Sequence, residues 1–209
     1  AELQTDCQKV KSNKTKLAAF HQQLGNVKFL DPACGCGNFL IITYRELRLL
    51  ELEVLKELYG GQQVIGIDQI MLVDVDQFYG IEYDEFPARI AEVALWLMDH
   101  QMNLRISEAF GMYYARLPLK KSATIVHGNA LRTEWTDIVP KTELSYILGN
   151  PPFVGSKLLK KEQREEMAEI FSKVDNGKIL DYVAAWYYLS AKLINDTSIK
   201  VAFVSTNSI

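Results

Sequence analysis

The sequence lacks the apolar run of about 18 residues that a membrane-spanning helix needs, and it does not open on a basic segment leading into an apolar one, as a secretory signal would. A soluble, unsecreted chain is expected. Cysteine is scarce: Cys7, Cys34 and Cys36 are the three present, an odd number whose close pair is C-x-C and not the C-x-x-C of zinc and redox sites. Free thiols in a reducing compartment follow. Positive charge is not in excess, since 23 Lys and Arg face 26 Asp and Glu for a net charge of -3. Such a chain does not grip a duplex through phosphates alone. Internal repeats and low-complexity segments are missing, which excludes fibrous and solenoid architectures. What is present is a globular composition, 48% apolar and 23% charged over 209 residues. One domain of ordinary size is the simplest reading. The chain starts at Ala1 without a methionine and stops at Ile209 in an apolar strand-like run, so an excised piece of a longer protein is expected.

Branched apolar clusters alternate with stretches of helical period, the pattern of a parallel sheet covered by helices. Val27 to Leu30 predicts a first strand that ends in Asp31 and the loop Pro32-Ala33-Cys34-Gly35-Cys36-Gly37. Phe39 to Tyr59 is then helical until Gly60-Gly61 stops it. Further strands are predicted at Val64 to Ile67 and Gln77 to Ile81, and after Asp84-Glu85 comes a helix with Pro87 in its first turn. Phe86, Ile90, Val93 and Leu97 form an apolar stripe on that helix. Strands at Ala123 to His127 and Leu144 to Leu148 run into Gly128-Asn129 and Gly149-Asn150-Pro151-Pro152-Phe153. Asp181 to Ile194 predicts a helix and Lys200 to Val204 a last strand. Residues 154 to 178, mixed in charge and without a long apolar stripe, read as a mobile connection carrying a solvated helix.

In a parallel sheet of this kind the ligand crevice lies beyond the carboxyl ends of the strands, where Asp31, Glu82, Asn129 and Asn150 would collect. Gly35 and Gly37 let a ligand approach backbone at a helix start with unpaired amides. The loop is not G-x-G-x-x-G, which argues against a dinucleotide pyrophosphate. An acid ending the second strand can accept both hydroxyls of a ribose, usually about 20 residues past the glycines. Asp68 is the nearer candidate and Glu82 the farther. Glu82 is preferred because helix-start residues follow it, whereas Asp68 runs into another extended segment, as in an inserted hairpin. In Asn150-Pro151-Pro152-Phe153 the prolines remove two donors, leaving the Asn150 amide and nearby carbonyls as acceptors. That array suits a flat group bearing an amino nitrogen, with Phe153 placed to stack on it.

Six stretches carry a family resemblance: LDPACGCGNFLIITYRELR (Leu30 to Arg48), FYGIEYDEFPARIAEVALWLMDHQMN (Phe78 to Asn103), IVHGNAL (Ile125 to Leu131), ILGNPPFVG (Ile147 to Gly155), LDYVAAWY (Leu180 to Tyr187) and VAFVSTNSI (Val201 to Ile209). In these the sequence resembles class I S-adenosylmethionine-dependent methyltransferases, and among them the DNA adenine amino-methyltransferases of restriction-modification systems. The single-chain enzymes that join endonuclease and methyltransferase are the nearest in kind. The resemblance implies an α/β, Rossmann-like class I methyltransferase fold with a mostly parallel sheet between helices, truncated at its C-terminal end. Residues 1–28 would be a helical lead-in. Residues 29–209 would be the catalytic core, without the last strands and the target-recognition domain. The aromatic-Thr-Pro element that precedes the glycine loop in the family is not found in residues 1–28.

The resemblance also implies roles for individual residues. Asp31, Pro32, Ala33, Gly35, Gly37, Asn38 and Phe39 match the loop that holds the methionine part of S-adenosylmethionine. Glu82 matches the ribose ligand, Tyr83 lines the adenine pocket, and Asn129 with Ala130 matches the element touching the cofactor's adenine. Asn150, Pro151, Pro152 and Phe153 match the catalytic tetrapeptide, acting on an adenine flipped out of double-stranded DNA. A sulfonium is electrophilic enough to need neither metal nor covalent nucleophile, so Cys34 and Cys36 are read as small loop residues. The implied setting is a prokaryotic cytoplasm. Arg116, Lys120, Lys121 and Arg132 lie in an acid-free stretch and could touch phosphates or face solvent. RNA or a protein glutamine amide would suit the same turn, and a non-catalytic cofactor-binding module remains a rival.

Overall fold

The structure is a computed structural model that describes residues 2–60, 66–111, 122–175 and 177–205. Two helices lead in, α1 (Glu2–Val10) and α2 (Lys14–Leu24), the second capped by the Asn13 side chain, which accepts from the Lys16 amide at 3.0 Å. Then follow β1 (Phe29–Asp31), α3 (Asn38–Tyr59), α4 (Ile67–Ile70), β2 (Phe78–Glu82), α5 (Glu85–Phe110), β3 (Thr124–His127), α6 (Trp135–Ile138), β4 (Tyr146–Gly149), α7 (Lys161–Ile170), α8 (Ala184–Ile194) and β5 (Lys200–Phe203). The sheet order is β3-β2-β1-β4-β5, all pairs parallel. This is the Rossmann-like arrangement, and its strand order reverses between β1 and β4.

Alternation along the strands builds a core on each face. Phe29, Phe78, Tyr146 and Leu148 turn toward α2, α3 and α5. Leu30, Ile81, Ile147 and Val201 turn toward α6, α7 and α8. On the first face Phe29 stacks between Phe78 (5.0 Å) and Tyr146 (5.2 Å), an aromatic row across three strands. Cys7, Leu17, Phe20 and Leu24 belong to the same core as Leu40 and Tyr44, so the leading helices pack as part of the domain and are not an appendage to it.

Two expectations are corrected. The stripe Phe86, Ile90, Val93, Leu97 is not the face that α5 buries: Phe86 is 77% exposed and Val93 56%. The helix buries Ala88, Ala91, Leu95, Met102 and Ile106. It passes so close to the start of α3 that a Cβ on Gly37 would lie 3.0 Å from that of Ala91, and only small side chains fit such an approach. No hairpin strand follows Gly66, since Ile67–Ile70 is helical and Val75–Gln77 a 3-10 turn. Within the strand expected at Val64 to Ile67, Val64 and Ile65 lie outside the described residues. In the segment 154–178 the expected helix is α7, flanked by short turns at Ser156–Leu158 and Gly177–Ile179, and it buries Glu166 and Met167. Among the described residues no helix is long and apolar enough to cross a membrane.

Candidate functional site

The strands end together, and the loops after β1, β2, β3 and β4 wall one cavity of about 410 Å³. Pro32, Ala33 and Gly35 come from the first, Glu82 and Tyr83 from the second, Asn129 and Ala130 from the third, Asn150 and Pro152 from the fourth. These nine predicted residues come together. The other six do not line it: Asp31 is buried behind the loop, Gly37 is packed against α5, and Pro151 is buried, while Asn38, Phe39 and Phe153 are exposed. The residues missed in sequence are those of the roof, Lys160, Glu162, Gln163 and Glu166 from α7 and its approach, with Tyr182 and Trp186. A wider groove of about 810 Å³ opens at the amino ends of the strands, but its lysines, Lys28 and Lys200, are paired with Glu143 and Glu2 and it holds none of the predicted residues.

Backbone hydrogen bonds fix the wall. The Cys34 amide donates to Ile81 carbonyl at 3.0 Å and the Gly128 amide to Glu82 carbonyl at 2.8 Å, tying each loop to the neighbouring strand end. Indole N–H groups pin two more turns, Trp186 to the Pro32 carbonyl (3.0 Å) and Trp135 to the Ala130 carbonyl (2.8 Å). The Glu82 carboxylate accepts the Gly35 amide on one oxygen (2.9 Å) and the Asp84 amide on the other (3.0 Å). Each oxygen keeps a further lone pair. No atom lies within 4 Å of where a Cβ on Gly35 would stand, so a ligand can rest on that backbone. Asn129 accepts the Leu131 amide at 2.9 Å and donates to Glu166 at 2.7 Å.

Asp31 is 1% exposed, and while one oxygen accepts the Ala33 amide at 3.0 Å, the other has no hydrogen-bond partner. Burial lifts its carboxyl to about 7; the Ala33 hydrogen bond opposes the shift and the Glu82 charge adds to it. The end of β4 presses on this carboxyl: at Gly149, with φ of 154°, a Cβ would come within 2.4 Å of the Asp31 oxygen. Glycine is therefore required just before Asn150. Burial, reinforced by the Asp31 and Glu82 charges, raises the Cys34 thiol far above its ordinary range, which makes it an unreactive packing residue. Among the described residues no cluster suits a metal ion.

On the fourth strand's side the Asn150 amide is exposed and hydrogen-bonds to no described residue, while Phe153 is 41% exposed beside it. The segment beyond is held by the Tyr182 amide on Val154 carbonyl (3.0 Å) and the Ser156 amide on Asp181 (3.1 Å). Chemically, the cavity offers a carboxylate for vicinal hydroxyls, exposed Tyr83 for a flat ring, amide oxygens for an amine, and open glycine backbone. An adenosyl group meets those requirements. Arg132 is exposed but donates to Glu166 at 3.0 Å; Arg116, Lys120 and Lys121 lie outside the described residues.

A parallel sheet in this order, with a cavity at its switch point, defines a Rossmann-like methyltransferase fold. The model of the MmeI DNA-methyltransferase domain family matches residues 7–209, and the chain belongs to that family. It is 46% identical over 199 residues to DNA methyltransferase A of Bacillus subtilis (strain 168), covering 93% of this chain and 22% of that protein. It is also similar to the solved structure of the Type IIL restriction-modification enzyme MmeI in complex with DNA, at 53% identity and a TM-score of 0.95. That match covers 100% of this chain and 28% of MmeI. The ATP-dependent Type ISP restriction-modification enzyme LlaBIII, at 15% identity over 88% of this chain and 13% of its own, with a TM-score of 0.54, shares the fold alone. The chain thus spans less than a third of the relatives it matches.

Proposed function

We propose that this chain is the methyl-transferring core of a restriction-modification enzyme, moving the methyl of S-adenosylmethionine to the exocyclic amino group of an adenine flipped out of DNA. The observation that carries the reading is the meeting of an adenosyl-sized cavity with an exposed, unengaged Asn150 amide on its wall. Glu82 accepts the ribose hydroxyls with its spare lone pairs, Tyr83 covers the purine, and Asn129 and Ala130 face the purine's edge. Pro32, Ala33 and Gly35 receive the amino-acid part, while Asp31, Gly37, Asn38 and Phe39 shape the loop and helix start behind them. When bound, the cofactor would supply an electrophilic methyl on sulfonium; the methyl's bond to sulfur would break as its bond to nitrogen forms, leaving the neutral thioether S-adenosylhomocysteine, and the amine would release one proton to water.

The remaining work falls to the tetrapeptide. An adenine amine is a poor nucleophile because its lone pair is delocalised into the ring. Accepting its hydrogens at the Asn150 oxygen and the Pro151 carbonyl turns the nitrogen pyramidal and points the lone pair at the methyl. Pro151 and Pro152 keep competing N–H donors out of the turn. Phe153 stacks on the extruded base and offsets part of its unstacking cost. Double-stranded DNA is the proposed substrate, gripped by parts of the protein beyond residues 29–209, which form the catalytic core.

Labelled methyl from S-adenosylmethionine, offered with DNA, RNA and protein to the longest native chain containing this segment, tests the reading. Methyladenine in DNA is the expected product, and label in RNA or glutamine overturns the substrate. Asn150→Ala is expected to lower transfer at least about 100-fold while cofactor affinity stays within about threefold. Undiminished transfer would reduce Asn150 to a structural residue.

A further inference from the structure

Asn129 stands in the cavity wall with both ends of its amide engaged. Its oxygen accepts the Leu131 amide at 2.9 Å, and its nitrogen donates to Glu166 at 2.7 Å. Glu166 comes from α7, is 6% exposed, and also accepts the Arg132 guanidinium at 3.0 Å and, on its other oxygen, the Tyr182 hydroxyl at 2.6 Å. Three donors thus converge on one carboxylate. Such an acceptor cannot tolerate the reversed amide, which would set two oxygens against each other. The oxygen of Asn129 retains a second lone pair, and the residue lines the cavity.

We propose that Glu166 is a positioning residue that holds the Asn129 amide with its oxygen as a fixed acceptor in the cavity wall, so that the site selects a purine bearing an exocyclic amine over one bearing a carbonyl. The inference rests on the reading of the cavity as an adenosyl site. An aminopurine donates to the held oxygen. A 6-oxopurine sets its own carbonyl against it, and a site built to accept an N–H rejects an analogue that lacks one. Tyr182, in the turn before α8, and Arg132, in the loop after β3, both anchor Glu166, so the acceptor is held by α7 and the approach to α8 as well as by its own loop.

The test compares the affinities of S-adenosylhomocysteine and S-inosylhomocysteine for the longest native chain containing this segment, by calorimetric titration. The wild type is expected to prefer the adenosyl compound about 100-fold, and Glu166→Ala to lower that preference about tenfold, because the Leu131 N–H alone then holds the amide. The ratio within one variant cancels general loosening of the fold. Asn129→Asp, which sets two carboxylates face to face, is expected to lose adenosyl binding. Adding Glu166→Gln to it is expected to restore binding, because the introduced amide donates across the same contact. A ratio unchanged in Glu166→Ala, or a double variant as weak as Asn129→Asp alone, overturns the selection. If the wild type binds neither compound, the adenosyl reading itself is overturned and the selection with it.

Discussion

At the amino ends of β1 and β2, Glu51 on α3 accepts the Leu72 amide (2.6 Å) and the Val73 amide (3.0 Å) and lies 3.1 Å from His21 of α2. At the carboxyl ends, Glu166 on α7 likewise gathers three partners. The two carboxylates are alike in chemistry and in burial, yet they serve different ends. Around Glu51 the neighbours turn on one another: Arg48 donates to the Val73 carbonyl (2.8 Å) and to Asn103 (2.6 Å), Asn103 to Asp99 (3.0 Å), and Tyr44 to Asp99 (2.5 Å). Gln77 donates to the Leu24 and Val27 carbonyls and ties the leading helices to this knot. None of these groups opens on the site cavity. Around Glu166, one of the partners is itself cavity wall. The side chains of the first network are all buried and fasten elements to one another, whereas the second network brings one of its members, Asn129, to a cavity wall.

The sharpest way to break this contrast is Arg48→Met, which leaves Glu51 buried without its cation. It is expected to cost about 3–5 kcal/mol, measured by urea unfolding, against about 1–2 kcal/mol for Glu166→Ala, whose donors can turn to cavity water. Equal losses would erase the distinction between the two ends.

Asp31 sharpens it further, because its carboxyl, lifted to about 7 by burial, is protonated in the folded chain at pH values where the unfolded chain has released the proton. The folded state binds more protons between about pH 4 and 7, so stability falls as pH rises through that window. Relative to Asp31→Asn, which has no such titration, the wild type is expected to lose about 2 kcal/mol between pH 5 and 7. A flat difference in unfolding free energy across that range would show that Asp31 titrates as an ordinary carboxylate. The smallest effect is expected on the outer face of α5, where Phe86→Gln should change unfolding by less than about 0.5 kcal/mol. A larger loss would mean that this face is covered.

The strand ends were legible because local rules and the sheet agree there. Branched runs stop at Asp31, Glu82, Asn129 and Asn150, and a glycine, a proline or a helix start adjoins each stop. Parallel pairing in register, such as Glu82 beside His127 and Asp31 beside Gly80, then brings these ends onto one edge. The inward face of α5 was not legible. Near its start the large apolar residues Phe86, Ile90 and Val93 point outward, because the close passage beside Gly37 puts the small Ala91 inward, and Leu95, Met102 and Ile106 are buried only farther along. Glu166 was equally hidden: Glu162, Glu165, Glu166 and Glu169 crowd the same short helix, and nothing local distinguishes the one that meets Asn129.

By itself, then, the sequence determined the alternation of strands and helices, the glycine loop, the Asn-Pro-Pro-Phe turn at the end of the fourth strand and the family to which the chain belongs. Those features depend on local backbone chemistry and on side-chain period, which neighbouring residues dictate. Only the tertiary structure decided which face of α5 is buried, that a charged helix roofs the cavity, and that Glu166 holds Asn129. Those outcomes depend on which surfaces meet across distant elements, and packing distance and hydrogen-bond partnership are properties of the assembled layers.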